Sequence, residues 1–412
     1  MDKELKFPAG FMWGSATSAH QVEGGNNNDW TEWEKSENRI EALRLQGLDP
    51  QNFISGRACD SYNRYEEDFD IARQLNHNTH RFSIEWSRIE PEEGRFDDRA
   101  MDHYLAVIEA LRKRGIEPIV TLWHFTNPIW FARKGGFLNP KSSEYFSRYA
   151  CYVAQKLDGK ARWLITFNEA GTVYAGFAYL LGLWPPQYKS LYKTMRVIKN
   201  IRKAHRSAYK AIKSTSHNVI IGTTSMLTYV VYGRRFYEKI IGRLFNYLRN
   251  FYFLDKTARF HDFIGVDYYH VDRIRRFGNF LSEGYEVLPK QQLMPEMDWE
   301  FYPQGLYDVL KDLKKRFNKP VLIAENGIAD STDQKRSKFM TEHLYWVWRA
   351  IQDGVDVRGY IYWSLLDNFE WAKGFEPRFG LVEIGYATFS RKIRPSAFEY
   401  AKICKTNQLD IG

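Results

Sequence analysis

Two glutamates set in similar surroundings are the residues from which chemistry can be read. Val321 to Gly327 reads V-L-I-A-E-N-G, an apolar run ending on Glu325, and Trp163 to Glu169 reads W-L-I-T-F-N-E, a second run ending on Asn168 and Glu169. Short apolar runs of this kind mark buried strands, and Asn326-Gly327 reads as the turn after the first of them. Each glutamate then sits at a strand tip. A carboxylate taken out of water either finds partners or takes up a proton, so a buried one needs neighbours or a task. A hydrogen-bonded strand end explains one such residue. Two at two tips point to a two-carboxylate site.

The elements that must position them can be counted along the chain. Strand candidates are Phe11 to Thr17, Thr79 to Ile84, Pro118 to Trp123, Trp163 to Phe167, Val219 to Thr224, Phe263 to Tyr268, Val321 to Ala324 and Tyr360 to Trp363. Helical periodicity fills the intervals at Tyr62 to Leu75, Met101 to Arg114, Ser142 to Leu157, Thr194 to Ile212, Tyr302 to Arg316 and Ser337 to Asp353. Eight such units predict an α/β fold, a (β/α)₈ barrel with its site at the C-terminal strand ends. No linker or composition shift divides residues 1–412, so a single domain is expected. Long insertions at Glu23 to Arg57 and Tyr268 to Glu300 leave strand ends and should wall the cleft.

A barrel would gather the tip residues: Gln21, Arg81, His124, Asn168, Glu169, Tyr269, Glu325, Trp363, Glu370 and Trp371. Every tip but the fifth offers a polar or aromatic group. No phosphate-binding glycine pattern occurs, and His20, His80, His124 and His270 lack matched ligand spacing. Neither a nucleotide, nor a metal, nor an organic cofactor is therefore expected.

Composition narrows the class further. Of 412 residues, 44% are hydrophobic and 16% aromatic, enough for a large core. The 13 Trp, 26 Tyr and 28 Phe suit a cleft that stacks on the apolar face of a sugar ring or a base. Cys59, Cys151 and Cys404 form no disulfide or zinc pattern, and the N-terminus MDKELKFPAGFMWG has no secretory h-region. A soluble cytoplasmic protein without a membrane span is expected, with its oligomeric state open. The net charge of +9 is local: nine Lys/Arg and no Asp/Glu fall between Lys189 and Lys213, leaving 50 of the 59 basic residues to balance 50 acidic ones. Their three- and four-residue spacing puts most of them on one helix face, which a solvated outer surface explains. No nucleic-acid partner is expected.

Taken together, the stretches F-P-A-G-F-M-W-G-S-A-T-S-A-H-Q-V-E-G, H-R-F-S-I-E-W-S-R-I-E-P, T-L-W-H-F, T-F-N-E, A-E-N-G and Y-W-S-L-L-D-N-F-E-W, the last followed by R-F-G-L, resemble glycoside hydrolase family 1. The resemblance runs from Phe7 to about Ala401. It implies a retaining β-glycosidase acting on terminal, non-reducing β-linked glucosyl or galactosyl residues of small glycosides or oligosaccharides. Glu325 would be the nucleophile and Glu169 the acid/base, with carboxyls ~5 to 5.5 Å apart. Arg81 and Tyr269 would keep Glu325 ionised, while its charge would keep Glu169 protonated. Gln21, His124, Asn168, Glu370 and Trp371 would meet sugar hydroxyls, and Trp363 would lie beneath the ring. Trp299 and Phe379 complete the implied substrate site.

Glu370 and the sequence G-F-E-P-R-F-G argue against 6-phosphorylated sugars. The chain departs from the family where Ala170 replaces the proline of N-E-P and Asp267 the asparagine of N-Y-Y, and it is short after the fifth strand. Asp267 either shifts both catalytic pKa values or points away. A transglycosidase using the same intermediate is a competing reading. So is a sugar-binding barrel that has lost catalysis, against which the intact Glu169, Glu325, Arg81 and Tyr269 argue.

Overall fold

Eight parallel strands close on themselves: β1 (Met12–Ala16), β2 (Thr79–Ser83), β3 (Glu117–Thr121), β4 (Trp163–Ile165), β5 (Ile220–Met226), β6 (Phe263–Asp267), β7 (Val321–Asn326) and β8 (Val357–Trp363). The seam pairs β8 with β1, Trp363 opposite Ala16. This is the (β/α)₈ architecture the strand count predicted. The computed structural model describes residues 4–216, 218–233, 235–274, 293–294 and 296–411.

Strands covered on both faces need no polar alternation, which is why they read as continuous apolar runs. Ile119, Val120, Leu164, Ile165, Ile221, Val266, Leu322 and Ile323 are all buried. Helices α1 (Ser61–Gln74), α2 (Asp98–Lys113), α3 (Ser142–Leu157), α4 (Leu191–Thr215), α5 (Tyr252–Thr257), α6 (Pro303–Phe317), α7 (Arg336–Gln352) and α8 (Pro395–Thr406) follow the strands in turn. On α4 the apolar face buries Val197, Ile198, Ile201, Ala204, Ala208 and Ile212. Each large aliphatic side chain there contributes roughly 1.5 to 3 kcal/mol. Arg196, Lys199, Lys203 and Lys210 face solvent, as the basic spacing predicted. Lys213 pairs with Asp262 at 2.7 Å, and Arg202, off the stripe, is buried with its guanidinium 4.3 Å from the Tyr252 ring centre.

The first insertion folds into helices Asp29–Glu34 and Glu37–Leu45 and a 3₁₀ turn at Pro50–Phe53. Asn28 caps the first of them, accepting from the Thr31 N–H at 3.0 Å while the Thr31 hydroxyl accepts from the Asn28 N–H at 2.8 Å. The second insertion lies partly outside the described residues. Its described ends form Val271–Ile274, parallel to Tyr229–Tyr232, and the two-residue pairing of Leu293–Met294 with Trp299–Glu300. Antiparallel pairs Glu4–Lys6 with Gln408–Asp410 and Val382–Gly385 with Ser390–Ile393 are further additions to the barrel.

One expectation is corrected at β7, the strand that carries Glu325. Asn326 continues β7, and Gly327 leaves it without a turn. The glycine is required for a different reason: a Cβ there would stand 1.7 Å from the Trp363 carbonyl oxygen on β8. Asn326 is part of the same brace, donating to the Tyr268 carbonyl at 2.6 Å and accepting from the Tyr360 hydroxyl at 2.6 Å. Gly327→Ala is therefore expected to destabilise the fold by about 2 to 4 kcal/mol. A chemical-denaturation midpoint equal to the parent's would count against this close contact.

Candidate active site

The strand register places the acids. Glu325 on β7 lies opposite Asp267 on β6, after a register shift between Ile323 and Glu325. Register partners on parallel strands project to the same side, and the shift re-aims the tip residue. Arg81, buried on β2, is directed at this tip. Its Nη1 donates to Glu325 Oε1 at 2.7 Å and to the Ala324 carbonyl at 3.1 Å, and its Nε donates to Thr121 Oγ1 at 3.1 Å. Its Nη2 donates to Asn168 Oδ1. The Tyr269 hydroxyl donates to Glu325 Oε2 at 2.6 Å. Glu325 thus has a cation on one oxygen and a phenol on the other.

Glu169 ends the β4 tip with a positive φ of 43°, its N–H donating to the Thr224 carbonyl at 3.2 Å. A non-glycine residue held in this region is strained and persists where its surroundings enforce it. Ala170 is the first residue of the π-type helix Ala170–Leu181. Proline is accepted at that position too, so the substitution leaves the helix start in place. One carboxylate oxygen from each of Glu169, Asp267 and Glu325 lies within 4.8 Å of the others, close enough to bind a cation, although Arg81 already occupies one side of the cluster.

Burial sets the protonation of this cluster, and charge then separates its members. Glu169 is pushed well above the usual carboxylate range by burial and by Asp267 and Glu325, with Arg249 opposing. Burial also leaves Glu325 raised overall, but Arg81 and the Tyr269 hydrogen bond oppose the rise, whereas at Glu169 the neighbouring acids add to it. The proton therefore belongs on the Glu169 side. Asp267 is raised to about 8 by burial and Glu325, against Arg81. His124 is kept neutral, well below its ordinary value, by burial and by Arg81 and His20.

The remaining residues singled out in the sequence lie around this cluster. Gln21 Nε2 donates to Asn368 Oδ1 and the Phe369 carbonyl, both at 2.9 Å, and to Glu370 Oε2 at 3.4 Å. Asn168 and His124 share a hydrogen bond of 3.2 Å. The His124 ring stacks at 6.0 Å on Trp363 and at 5.8 Å on Trp371. Trp299 packs 5.2 Å from Tyr269 and 6.2 Å from Phe379. Glu370 is raised to about 8 by burial and Glu325. Below that pH it donates as well as accepts.

Several supporting residues escaped the sequence. The fifth strand, read as offering nothing, supplies Thr224, whose hydroxyl donates to Asn168 Oδ1 at 2.7 Å. The polar end of G-T-T-S was the available signal. Asp367 in D-N-F-E-W is held by both Arg394 nitrogens at 2.9 Å and by the Gly380 N–H at 2.9 Å, which fixes the loop carrying Glu370 and Trp371. From the first insertion, Glu34 meets His20 at 2.8 Å, and Trp30 packs 4.8 Å from Trp371. Trp184 and Phe125 complete this aromatic wall, 5.8 and 5.1 Å from Trp371.

Comparison with known proteins converges on one family. The model described as Glycosyl hydrolase family 1 matches residues 3–259 and 252–409. The chain is 31% identical over 450 positions to "Beta-glucosidase A" of Thermotoga maritima, covering 98% of this chain and 99% of that protein. It is 32% identical over 485 positions to a "Beta-galactosidase" of Sulfolobus acidocaldarius, covering 98% and 96%. Both alignments exceed the 412 residues of this chain, so these relatives hold residues that it lacks. Among solved structures, the β-glycosidase from Pyrococcus horikoshii matches with a TM-score of 0.88 at 37% identity, covering 98% of this chain and 96% of that one. The family 1 β-glucosidase from Thermotoga maritima in complex with isofagomine lactam matches with 0.88 at 29%, covering 98% and 99%.

Proposed function

We propose a role for each site residue from one premise: this chain belongs to glycosyl hydrolase family 1 and is a retaining β-glycosidase. Glu325 is the nucleophile. It attacks the anomeric carbon, the bond to the leaving oxygen breaks, and Glu169 gives that oxygen its proton. Water then attacks the glycosyl-enzyme, Glu169 takes the water's proton, and Glu325 leaves as the carboxylate. Arg81 and Tyr269 hold Glu325 ionised and oriented. The observation that carries this reading is the buried Glu325 gripped by Arg81 and Tyr269, with a Glu169 oxygen no more than 4.8 Å from it. That proximity suits direct displacement by a carboxylate, for which the two acids stand closer than where a water attacks in one step.

Gln21, His124, Asn168, Glu370 and Trp371 meet the hydroxyls of the terminal sugar, Trp363 lies under its ring, and Trp299 and Phe379 close the site. Support comes from their clustering around the acids and from His124 Nδ1, a buried nitrogen without a partner among the described residues. The substrates are small glycosides or oligosaccharides ending in β-linked glucose or galactose, in keeping with relatives named β-glucosidase and β-galactosidase. Residues 1–412 act as one domain, and the free Cys59, Cys151 and Cys404 suit a cytoplasmic setting. Among the described residues no helix is long and apolar enough to cross a membrane. The test is a panel of nitrophenyl β- and α-glycosides with the product followed by NMR. A β-anomer as first product from a β-glucoside or β-galactoside is expected; an α-anomer would overturn the reading.

A further inference from the structure

Asp267 is the one acid in the cluster to which the retaining mechanism gives no role. It is fully buried at the β6 tip, yet neither of its oxygens, nor Oε1 of Glu169, receives a hydrogen bond from any donor among the described residues. The groups around it are Glu325 on β7, Arg81 on β2, Glu169 after β4, Thr224 on β5 and, two residues on in its own segment, Tyr269; Arg249 acts on the Glu169 side. Arg81 and Thr224 stand near enough to lower the pKa of Asp267, but their hydrogen bonds go to other acceptors. Arg81 Nη1 stands 3.8 Å from Asp267 Oδ1 but points to Glu325 and the Ala324 carbonyl, Tyr269 donates to Glu325, and Thr224 donates to Asn168. Two adjacent buried carboxyls without a donor cannot both stay ionised while Glu325 is charged beside them. A proton on one of them is the missing donor.

We propose that Asp267 shares a single proton with Glu169, accepting a hydrogen bond from the Glu169 carboxyl and holding that proton on Glu169 by its charge until the leaving oxygen takes it. This rests on Glu169 as the acid/base. In the glycosylation step the leaving oxygen takes the proton with the departing bond pair, and both acids are left ionised. Glu325, now an ester, has lost its charge, so Arg81 faces Asp267 as its remaining carboxylate. In the second step water gives its proton to Glu169 as its oxygen bonds the anomeric carbon and the Glu325 bond pair returns to Glu325. The Glu169 hydrogen bond to Asp267 then re-forms. Because Asp267 keeps its charge through the covalent intermediate, Glu169 stays the stronger base throughout, whereas the influence of Glu325 disappears when it is glycosylated.

Asp267→Asn removes that charge at constant shape. The basic limb of the kcat/KM profile on a phenyl glycoside, where Glu169 must hold its proton, is expected to fall by about one pH unit or more. The acidic limb of kcat on a dinitrophenyl glycoside, where the intermediate waits for Glu169 to lose its proton, should fall in the same direction. Asp267→Ser should shift both limbs likewise and serves if the amide variant folds poorly. A packing role would lower the rate and leave the limbs in place, and that result overturns the proposal. Glu169→Ala separates the two assignments: it should erase the basic limb, and a limb that survives there removes Glu169 as the acid and the shared proton with it. A limb erased by Glu169→Ala but unmoved by the Asp267 variants removes Asp267 alone.

Discussion

Glu325→Ala is expected to lower kcat about 10⁵-fold or more on every β-glycoside, the scale on which removal of a covalent nucleophile acts. That is a loss of about 7 kcal/mol of transition-state stabilisation. The structure explains why no neighbour can substitute. Tyr269 and Arg81 are both donors committed to the lost carboxylate, and Asp267 sits one strand away at the same register. The variant also leaves a cavity beside a cation. Azide or formate should enter it, attack the anomeric carbon from the vacated side and restore turnover on a dinitrophenyl glycoside. The product with azide should be the α-glycosyl azide, identified by its anomeric coupling in NMR. Near-normal hydrolysis by Glu325→Ala would remove the nucleophile assignment.

Glu169→Ala should act selectively. General acid catalysis is worth about 10² to 10⁴ and is needed only where the leaving oxygen is basic. Methyl or phenyl glycosides should lose activity on that scale, while a dinitrophenyl glycoside should be cleaved at nearly the parent's rate in its first turnover. The following step lacks its base, so a burst of dinitrophenolate should precede a slow steady state and the glycosyl-enzyme should be visible by mass spectrometry. Equal losses on both substrate types would remove Glu169 from this role. The pKa directions agree with the assignment, since burial, Asp267 and Glu325 all hold the proton on Glu169.

The barrel was legible in the sequence because a strand buried on both faces must be apolar throughout. Val321 to Ala324 and Pro118 to Trp123 show this without any partner in view, and the helix after each shows its own period. The site was legible to the extent that its residues immediately follow such runs, as Glu169, Glu325, His124 and Tyr269 do. What could not be read depends on contacts between strands. Gly327 resembles half of a turn, but the contact that requires it is with Trp363, 36 positions on. Thr224 resembles any strand threonine until Asn168 is beside it. Asp267 is ambiguous in sequence because a tip residue can face inward or outward, and the pairing with Glu325 decides that question in favour of the interior. The helix Ala170–Leu181, apolar nearly all round and wound in the π form, has no periodicity from which to predict it.

The basic face of α4 bears on how substrate arrives. The excess positive charge is carried by outward-facing residues such as Arg196, Lys199, Lys203 and Lys210, whereas Glu169 and Glu325, the acids proposed to do the chemistry, are buried at the strand tips. Long-range attraction raises encounter rates when a charged ligand meets a cleft lined with the opposite sign, and it fades as salt shortens the Debye length from about 10 Å at 0.1 M to about 3 Å at 1 M. Neither condition holds for an uncharged glycoside here. Capture of substrate should be a diffusional search indifferent to ionic strength, and the surplus charge should govern the enzyme's colloidal behaviour and its adsorption to anionic surfaces instead.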